Sequence, residues 1–582
     1  TEQLVGQRDQ PVRVTQELQP VAVTEPQPGR FVFDLGQNMV GVVRLRVRGE
    51  AGTTVTLRHA EVLNPDGTVY TANLRSAQAT DRYTLAGDGE EVYQPRFTFH
   101  GFRYVEVTGY PGRPTPDAIT GVVFHTDAPQ TSRLDTSSEM LDQLHRNITW
   151  GQRGNFLSVP TDTPARDERL GWTGDINVFA PAAAFNMDVR AFLEKWLVDL
   201  RDAQSPNGAF PDVAPRVCCG EGNAGWGDAG VTVPWTLWRR YGDTRVIEDH
   251  YEAMQRWIAY LEANSDGLIR PNTAYNDWLN VDDPTPGPLI STAYFARSTE
   301  LLAEMAAAIG RDADAARYAQ LADDIKAAFV AEFVDEDGRV GSGSQTGYVL
   351  ALAFDLLPDD LRPLAARHLV EAIEARDWHL STGFLGTPAL LPVLADTGHL
   401  DVAYRLLLND TFPSWGYQIA RGATTMWERW DSIRPDGSFQ DPGMNSFNHY
   451  AYGAVGDFLF QTVAGIAPDP EVPGFRASVI RPQPGGGLTA VAGTYESVHG
   501  PIRTAWHDQD GLFTLEVEIP ANTTATVHVP ADTRWAVTES GVPAHDAPGV
   551  TLDRVDDGEV VYRIGSGRYR FTVDDAAGAL GD

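Results

Sequence analysis

The hydrophobic pattern changes period twice along the chain. In the first stretch apolar and polar residues alternate, as on a strand with one buried face. Val43, Leu45 and Val47 are interleaved with Arg44, Arg46 and Arg48. "TVTLRHAEV" repeats the alternation after the turn signal "GEAG", and "FTFHGFRYVEV" repeats it near residue 100. This pattern predicts an antiparallel β-sandwich over residues 30–130. The preceding residues 1–29, rich in Pro and Gln, read as an arm or linker. At Thr136 the period lengthens. Thr136 and Glu139 make a capping-box pattern, and Leu141, Leu144 and Ile148 follow at helical spacing. "DVRAFLEKWLVDL" puts Phe192, Trp196 and Leu200 on one helix face, and Ile247, Tyr251, Met254, Ile258 and Leu261 line another. About twelve helical segments fill residues 131–465, and twelve helices of alternating direction close as six hairpins into an (α/α)6 barrel. After "GIAPDPEVPGF" the period returns to two. Phe513, Leu515, Val517 and Ile519 alternate with Thr514, Glu516 and Glu518. Residues 466–582 are therefore expected to form a second antiparallel β-sandwich.

Composition narrows the function. The chain has 582 residues, too many for one domain, and a formal net charge of −33. That charge argues against nucleic acid and anionic membrane partners and leaves a neutral or cationic small substrate. Its plainer use is solubility. No apolar run is long enough to span a bilayer. Neither a dinucleotide-binding glycine fingerprint nor a P-loop is present. The two cysteines, Cys218 and Cys219, are adjacent, which excludes a disulfide framework and a four-ligand zinc site. They read as reduced thiols, with a vicinal disulfide as the alternative. No His/Cys ligand spacing stands out, so no cofactor or metal is expected, and calcium on the Asp-rich loops is not favoured. The chain begins at Thr1 without an apolar leader core and reads as processed or as part of a longer protein. A cytoplasmic location is slightly favoured, with secretion open.

The candidate chemistry sits in "PTDTPARDERLGWTGD", residues 160–175. Pro160, Pro164, Gly171 and Gly174 keep this stretch irregular until a helix begins near Asp175. It gathers Asp162, Asp167, Glu168 and Asp175 beside Arg166, Arg169 and Trp172. The plain alternative for Asp175 is a helix N-cap, and for the other acids a solvated loop. An indole among glycines fits that alternative poorly. Glycoside hydrolysis needs one protonated and one ionised carboxyl group, and neighbouring negative charge raises a carboxyl pKa. The other acids would keep Glu168 protonated, while Arg166 and Arg169 oppose this. A second cluster, "RGATTMWERWDS", places Glu428 between Trp427 and Trp430; its alternative is an aromatic core segment with a surface ion pair. "SFNHYAYG" then sets His449 at the start of the last long helix, where a lone histidine is often structural. "GWGDAG" and "YNDWL" add Trp226 and Trp278, each near an acid, on further loops between helices. Together these loops point to one carbohydrate pocket at an end of the ring.

"DTPARDERLGWTGD" resembles the signature of the inverting α-L-rhamnosidases, glycoside hydrolase family 78. "GATTMWERWD" looks like that family's second acidic motif, and "FVFDLGQNMVGVVRLRV" and "FTFHGFRYVEV" look like its β-sandwich ahead of the barrel. The likeness runs from about residue 30 to near the end, with Thr163 where the family usually has cysteine. It implies a sandwich, an (α/α)6 barrel and a C-terminal sandwich. It also implies Glu168 as general acid and Glu428 as general base. Asp162, Arg166 and Asp175 would bind rhamnose hydroxyls, Trp172, Trp226 and Trp278 would wall the ring, and His449 would bind sugar. The substrates implied are rhamnose-containing glycosides: flavonoid glycosides, saponins or oligosaccharides. Two alternatives stay open: another inverting or phosphorolytic enzyme on the same toroid, and a carbohydrate-binding protein without catalysis. Oligomeric state is not legible.

Overall fold

In the computed structural model, which describes residues 6–556 and 558–574, a ring of helices lies between two β domains. The alternation seen near the N-terminus becomes an eight-stranded sheet centred on the long strand Arg30–Arg48. That strand pairs with His100–Thr108 on one side and Ile119–Thr126 on the other. Its inward residues, Phe33, Val43 and Leu45, pack with Leu57, Phe102 and Val105 as one buried cluster.

Two boundaries differ from the sequence reading. Residues 1–29 are not only an arm: Val12–Leu18 pairs with Ile119–Thr126, and Ala22–Gln27 pairs with Arg30–Arg48. The side chains of Val12–Leu18 are almost all exposed. An edge strand held by backbone hydrogen bonds leaves no hydrophobic period to detect. The helical stretch also opens on a strand, because Ser132–Thr136 forms the edge of the C-terminal seven-stranded sheet against Ala490–Ser497. The first helix, Glu139–Asn155, is capped by Ser138, whose hydroxyl accepts from Leu141 N at 3.4 Å. Thr136 instead donates its hydroxyl to Asp142 at 2.9 Å, so the expected capping box is displaced.

Six helices form the inner wall of the ring: Thr173–Asn186, Ala229–Tyr241, Gly287–Ala308, Gln345–Ala353, Thr387–Asp396 and the composite helical run over 451–463. Each touches the next, and the last touches the first, so the ring closes. The inner helices are apolar on nearly every face; almost all of Thr173–Asn186 is buried. The outer helices carry a single stripe. Asp312–Phe333 buries only Tyr318, Ala322, Ile325 and Phe329, spaced one helical face apart. At one end of the ring run the loops leading from outer to inner helices, and these carry the acid–tryptophan stretches. No helix among the described residues is long and apolar enough to cross a membrane. Beyond the ring, a five-stranded and a seven-stranded sheet build the C-terminal sandwich.

The N-terminal sheet is locked to this end of the ring. A bulge between Asp34 and Met39 interrupts the register of the long strand, with Gly36 at φ +74°. Bulges re-aim side chains, and here Gln37 donates to Thr424 O at 2.7 Å while Asn38 N donates to Thr424 Oγ1 at 2.9 Å. The Asn38 amide also reaches Glu61, Thr425 and Phe447 O. Arg169 extends from the acidic loop to donate to Phe99 O at 2.8 Å, its guanidinium 3.9 Å from the Phe99 ring centroid.

Gly101 lies where sheet and loop touch: a Cβ there would sit 2.8 Å from Pro164 Cγ and 3.0 Å from Ala165 N. Gly101→Ala is expected to cost about 1–3 kcal/mol, the usual range for overpacking. A lowered urea midpoint for the variant, with its far-UV circular dichroism unchanged, checks this.

Candidate active site

The local sequence builds the acidic loop as a closed turn. Asp162 N donates to Leu170 O and Leu170 N donates back to Asp162 Oδ1, both at 2.9 Å. Arg169 takes a left-handed backbone at φ 56° so that its side chain leaves toward the β domain. Thr163, fully buried, shares a 2.6 Å hydrogen bond with Ser446 and so ties this loop to the one carrying Glu428. Glu428 is fixed in turn by its own N–H on Ser446 O at 3.0 Å.

At the centre lies the buried Arg166 guanidinium. It donates to both oxygens of Glu428, at 2.7 and 3.0 Å, and through Nε to Glu168 Oε2 at 2.8 Å. Glu168 and Glu428 thus stand on adjacent edges of one cation. Arg75, from the N-terminal β domain, adds a second guanidinium to Glu168 Oε2 at 2.9 Å. The Trp172 indole N–H donates to Glu168 Oε1 at 3.0 Å. Burial separates the two acids: the Glu168 side chain is 13% exposed and the Glu428 side chain 2%. Glu168 is at the mouth and Glu428 deeper inside.

Arg166, Glu168, Trp172 and Glu428 line a cavity of about 140 Å³ with Asp162, Asp175, Trp226, Tyr275, Trp278, Phe384, Met444 and His449, and Arg75 braces Glu168 from outside this lining. Clefts that take drug-sized ligands run to ~300–1,000 Å³, so this one suits a single small ring. All nine residues to which the resemblance gives a catalytic or sugar-binding role face it. Larger hollows exist, including one of about 520 Å³ over the C-terminal sheet. Its charges pair with each other, as Arg503 and Arg568 do with Glu518, and none is gathered around a buried acid. Tyr275, Phe384, Met444 and Arg75 were missed. Tyr275 organises the aromatic wall, its ring 4.5 Å from that of Trp226, 5.7 Å from Trp172 and 5.9 Å from Trp278. Its hydroxyl donates to buried Asp212 at 3.0 Å.

Several expectations shift. Asp175 is not the N-cap: Trp172 holds that position, and the Asp175 carboxylate lies 3.0 Å from His449 Nε2. Arg169 does not oppose Glu168, because it is spent on Pro164 O and Phe99 O. Asp167 accepts from Ser76 and is outside the cavity. Trp430 packs on Trp415 and Tyr452, and Trp427 on Phe447, both in core rather than pocket. Asp228 and Asp277 are scaffold: Asp277 accepts from the N–H groups of Gly383, Leu385 and Gly386, and Asp228 from those of Gly225 and Trp257. His449 precedes a composite helical run rather than a plain helix. Cys218 and Cys219, read as thiols, are paired as a vicinal disulfide.

Electrostatics divide the acids. Burial works to raise the Glu428 pKa, but Arg166 and then His449 outweigh it and hold the carboxyl below its ordinary value. Burial, reinforced by Glu168, raises Asp162 well above the usual range, and burial raises Asp175. A carboxyl kept neutral can donate as well as accept a hydrogen bond. Burial alone would lower His449; Asp175, Glu428 and Asp162 reverse this and hold its pKa above the ordinary value. Three polar atoms on lining residues, Trp226 Nε1, His449 Nδ1 and Asp175 Oδ1, have no hydrogen-bond partner among the described residues, though Asp175 Oδ1 is ion-paired with His449. Unpaired buried donors are costly, and a ligand hydroxyl would satisfy them.

A closed helical ring with one small acidic and aromatic pocket at the end of its outer-to-inner loops is the architecture of the six-hairpin glycosidases. Residues 129–463 match the family model described as the bacterial alpha-L-rhamnosidase 6 hairpin glycosidase domain. Residues 24–125 match that family's concanavalin-like domain and 465–542 its C-terminal domain. The chain belongs to the bacterial α-L-rhamnosidase family. An alpha-L-rhamnosidase of Streptomyces avermitilis is 61% identical over 98% of this chain and 54% of its own length. One from Formosa agariphila is 43% identical over 86% of this chain and 55% of its own. The chain thus spans about half the length of these relatives. The crystal structure of the Streptomyces avermitilis enzyme complexed with L-rhamnose superposes with a TM-score of 0.95, covering 98% of this chain and 54% of that one.

The His449–Asp175 pair has a pH signature. With a raised folded pKa, the stabilisation from the charged imidazole is full below the unfolded histidine value and is lost as pH climbs through the folded one. An NMR titration of the His449 ring is expected to give a midpoint above the ordinary 6.5, and Asp175→Asn to lower it.

Proposed function

We propose that this chain is an inverting α-L-rhamnosidase that hydrolyses terminal α-L-rhamnosyl groups. The observation that carries the reading is the placing of Glu168 and Glu428 on two edges of Arg166, in a pocket sized for one sugar ring. Glu168 at the mouth is the general acid. Both guanidiniums hold its Oε2, so Oε1 is free of cations and is the oxygen to carry the proton. Glu428, kept ionised by Arg166 and His449, is the general base. Glu168 gives its proton to the glycosidic oxygen as the bond from that oxygen to C1 breaks. A water on the opposite ring face bonds to C1 and loses its proton to Glu428, through an oxocarbenium-like transition state.

Asp162, Asp175, His449 and the Trp226 N–H are placed to bind ring hydroxyls, and Arg166 positions both acids. Trp172, Trp226, Tyr275, Trp278 and Phe384 offer apolar faces to the ring and to the C6 methyl of a 6-deoxy sugar. The Streptomyces avermitilis relative, crystallised with L-rhamnose, supports that sugar. The substrates proposed are rhamnosides of flavonoids, saponins or oligosaccharides.

Release from an aryl α-L-rhamnoside, followed by proton NMR, should give the β anomer first. Retention of the α anomer, or no release from any aryl glycoside, would contradict the proposal. Glu168→Gln is expected to lose ~10²–10⁴-fold in kcat/KM on natural rhamnosides. It should recover much of that on aryl substrates whose leaving group needs no proton. Glu428→Gln should be equally impaired on both, as measured by initial rates.

A further inference from the structure

Away from the pocket, three side chains converge inside the N-terminal β domain. His59 comes from strand Thr54–Ala60, Asp81 from Thr80–Thr84 and His100 from the start of His100–Thr108. One ligating atom from each lies within 4.8 Å of the others. His100 Nε2 is 3.1 Å and His59 Nε2 3.9 Å from the same oxygen, Asp81 Oδ2. His59 Nδ1 lies 2.9 Å from Ala79 O. A carbonyl only accepts, so Nδ1 carries the ring hydrogen and Nε2 presents a bare lone pair. His59 is fully buried, and that lone pair has no hydrogen-bond partner among the described residues. It faces a carboxylate oxygen. Two acceptors turned toward each other in a protein interior call for a cation between them.

We propose that His59, Asp81 and His100 bind one divalent transition-metal ion of the zinc type. Two imidazoles and one carboxylate suit zinc better than calcium or magnesium, which prefer all-oxygen sites. His59 already has the arrangement typical of a ligating histidine, its second nitrogen donating to a backbone carbonyl that fixes tautomer and ring orientation. On binding, His100 moves its ring hydrogen from Nε2 to Nδ1 and exchanges its hydrogen bond to Asp81 for a metal bond. Its ring, stacked on His59 at 4.1 Å, turns so that both Nε2 atoms converge. Water reaches the fourth position from a cavity of about 230 Å³ that His100 shares with Phe99, Ala165, Arg166 and Glu168. The ion would tie three neighbouring strands together beneath the acidic loop. Its role is to hold that loop's support, with no step of the hydrolysis routed through it. Sequence gave no sign of the trio because each ligand lies on a different strand, without motif spacing.

The test uses the full chain, purified without reductant so that Cys218 and Cys219 stay paired and do not bind metal. After chelator treatment and dialysis, calorimetric titration with Zn²⁺ is expected to show one tight equivalent per chain, with a higher melting temperature. His59→Gln and Asp81→Asn, each checked for folding by circular dichroism, should lose that equivalent and the melting shift. Co²⁺ in the wild type should give the intense visible bands of a four-coordinate site, a readout that does not depend on either variant folding. The proposal is overturned by wild type that takes up no stoichiometric ion, by variants that bind as wild type does, or by Co²⁺ showing only a weak six-coordinate spectrum.

Discussion

One buried guanidinium, shared by two carboxylates, organises this end of the molecule. Arg166 holds Glu428 with both arms and Glu168 with its inner edge. Ion pairs out of water are poor sources of net stability, yet removing one partner typically costs about 3–5 kcal/mol because a charge is left buried. The interaction therefore sets geometry more than it sets stability. It fixes the spacing of two acids that come from opposite parts of the helical segment, and it gives them different electrostatics. Glu428 lies deep inside and is driven to its ionised form; Glu168 stands at the mouth with one oxygen free of cations. A pair of carboxylates with unequal surroundings is what single-displacement glycoside hydrolysis requires.

The scaffold brings these groups together. Inner helices that are apolar all round can only be buried, so they line the ring, and amphipathic helices cover them. Every lining residue except Asp175 then falls on a loop leading into an inner helix, and Asp175 falls in the first turn of one. The N-terminal β domain is more than a neighbour. Its bulged strand grips Thr424 and Thr425 through Gln37 and Asn38. Its Arg75 reaches Glu168, and the carbonyl of its Phe99 takes the Arg169 guanidinium. Removing Arg169 from the vicinity of Glu168 leaves the cationic influence there to Arg75 and Arg166.

What could be read from the sequence was what is local. Asp162, Arg166, Glu168, Trp172 and Asp175 sit within one stretch whose prolines and glycines forbid a helix, so their convergence was legible before any fold was known. Glu428 and His449 were legible as residue types beside indoles and in a second loop. The rest depended on distance. Arg75 lies in a β domain far from the acidic loop in sequence and carries no local mark. Phe384 and Met444 are apolar residues in loops, indistinguishable from core until the ring closes. Tyr275 stood beside a noted tryptophan, but its place rests on Asp212, a contact between two loops. The strands of residues 1–29 escaped because exposed edges show no hydrophobic period. Composition also misled at "ER" in residues 168–169, where adjacent opposite charges invite pairing but the backbone turns Arg169 away.

Arg166, against the pull of burial, keeps Glu428 ionised. Carbon-13 NMR titration of the Glu428 carboxyl in wild type and in Arg166→Met measures this directly. The expected result is a midpoint below the ordinary 4.5 in wild type and above it in the variant, where burial acts unopposed. A wild-type midpoint at or above the ordinary value, or one unchanged by Arg166→Met, would contradict it.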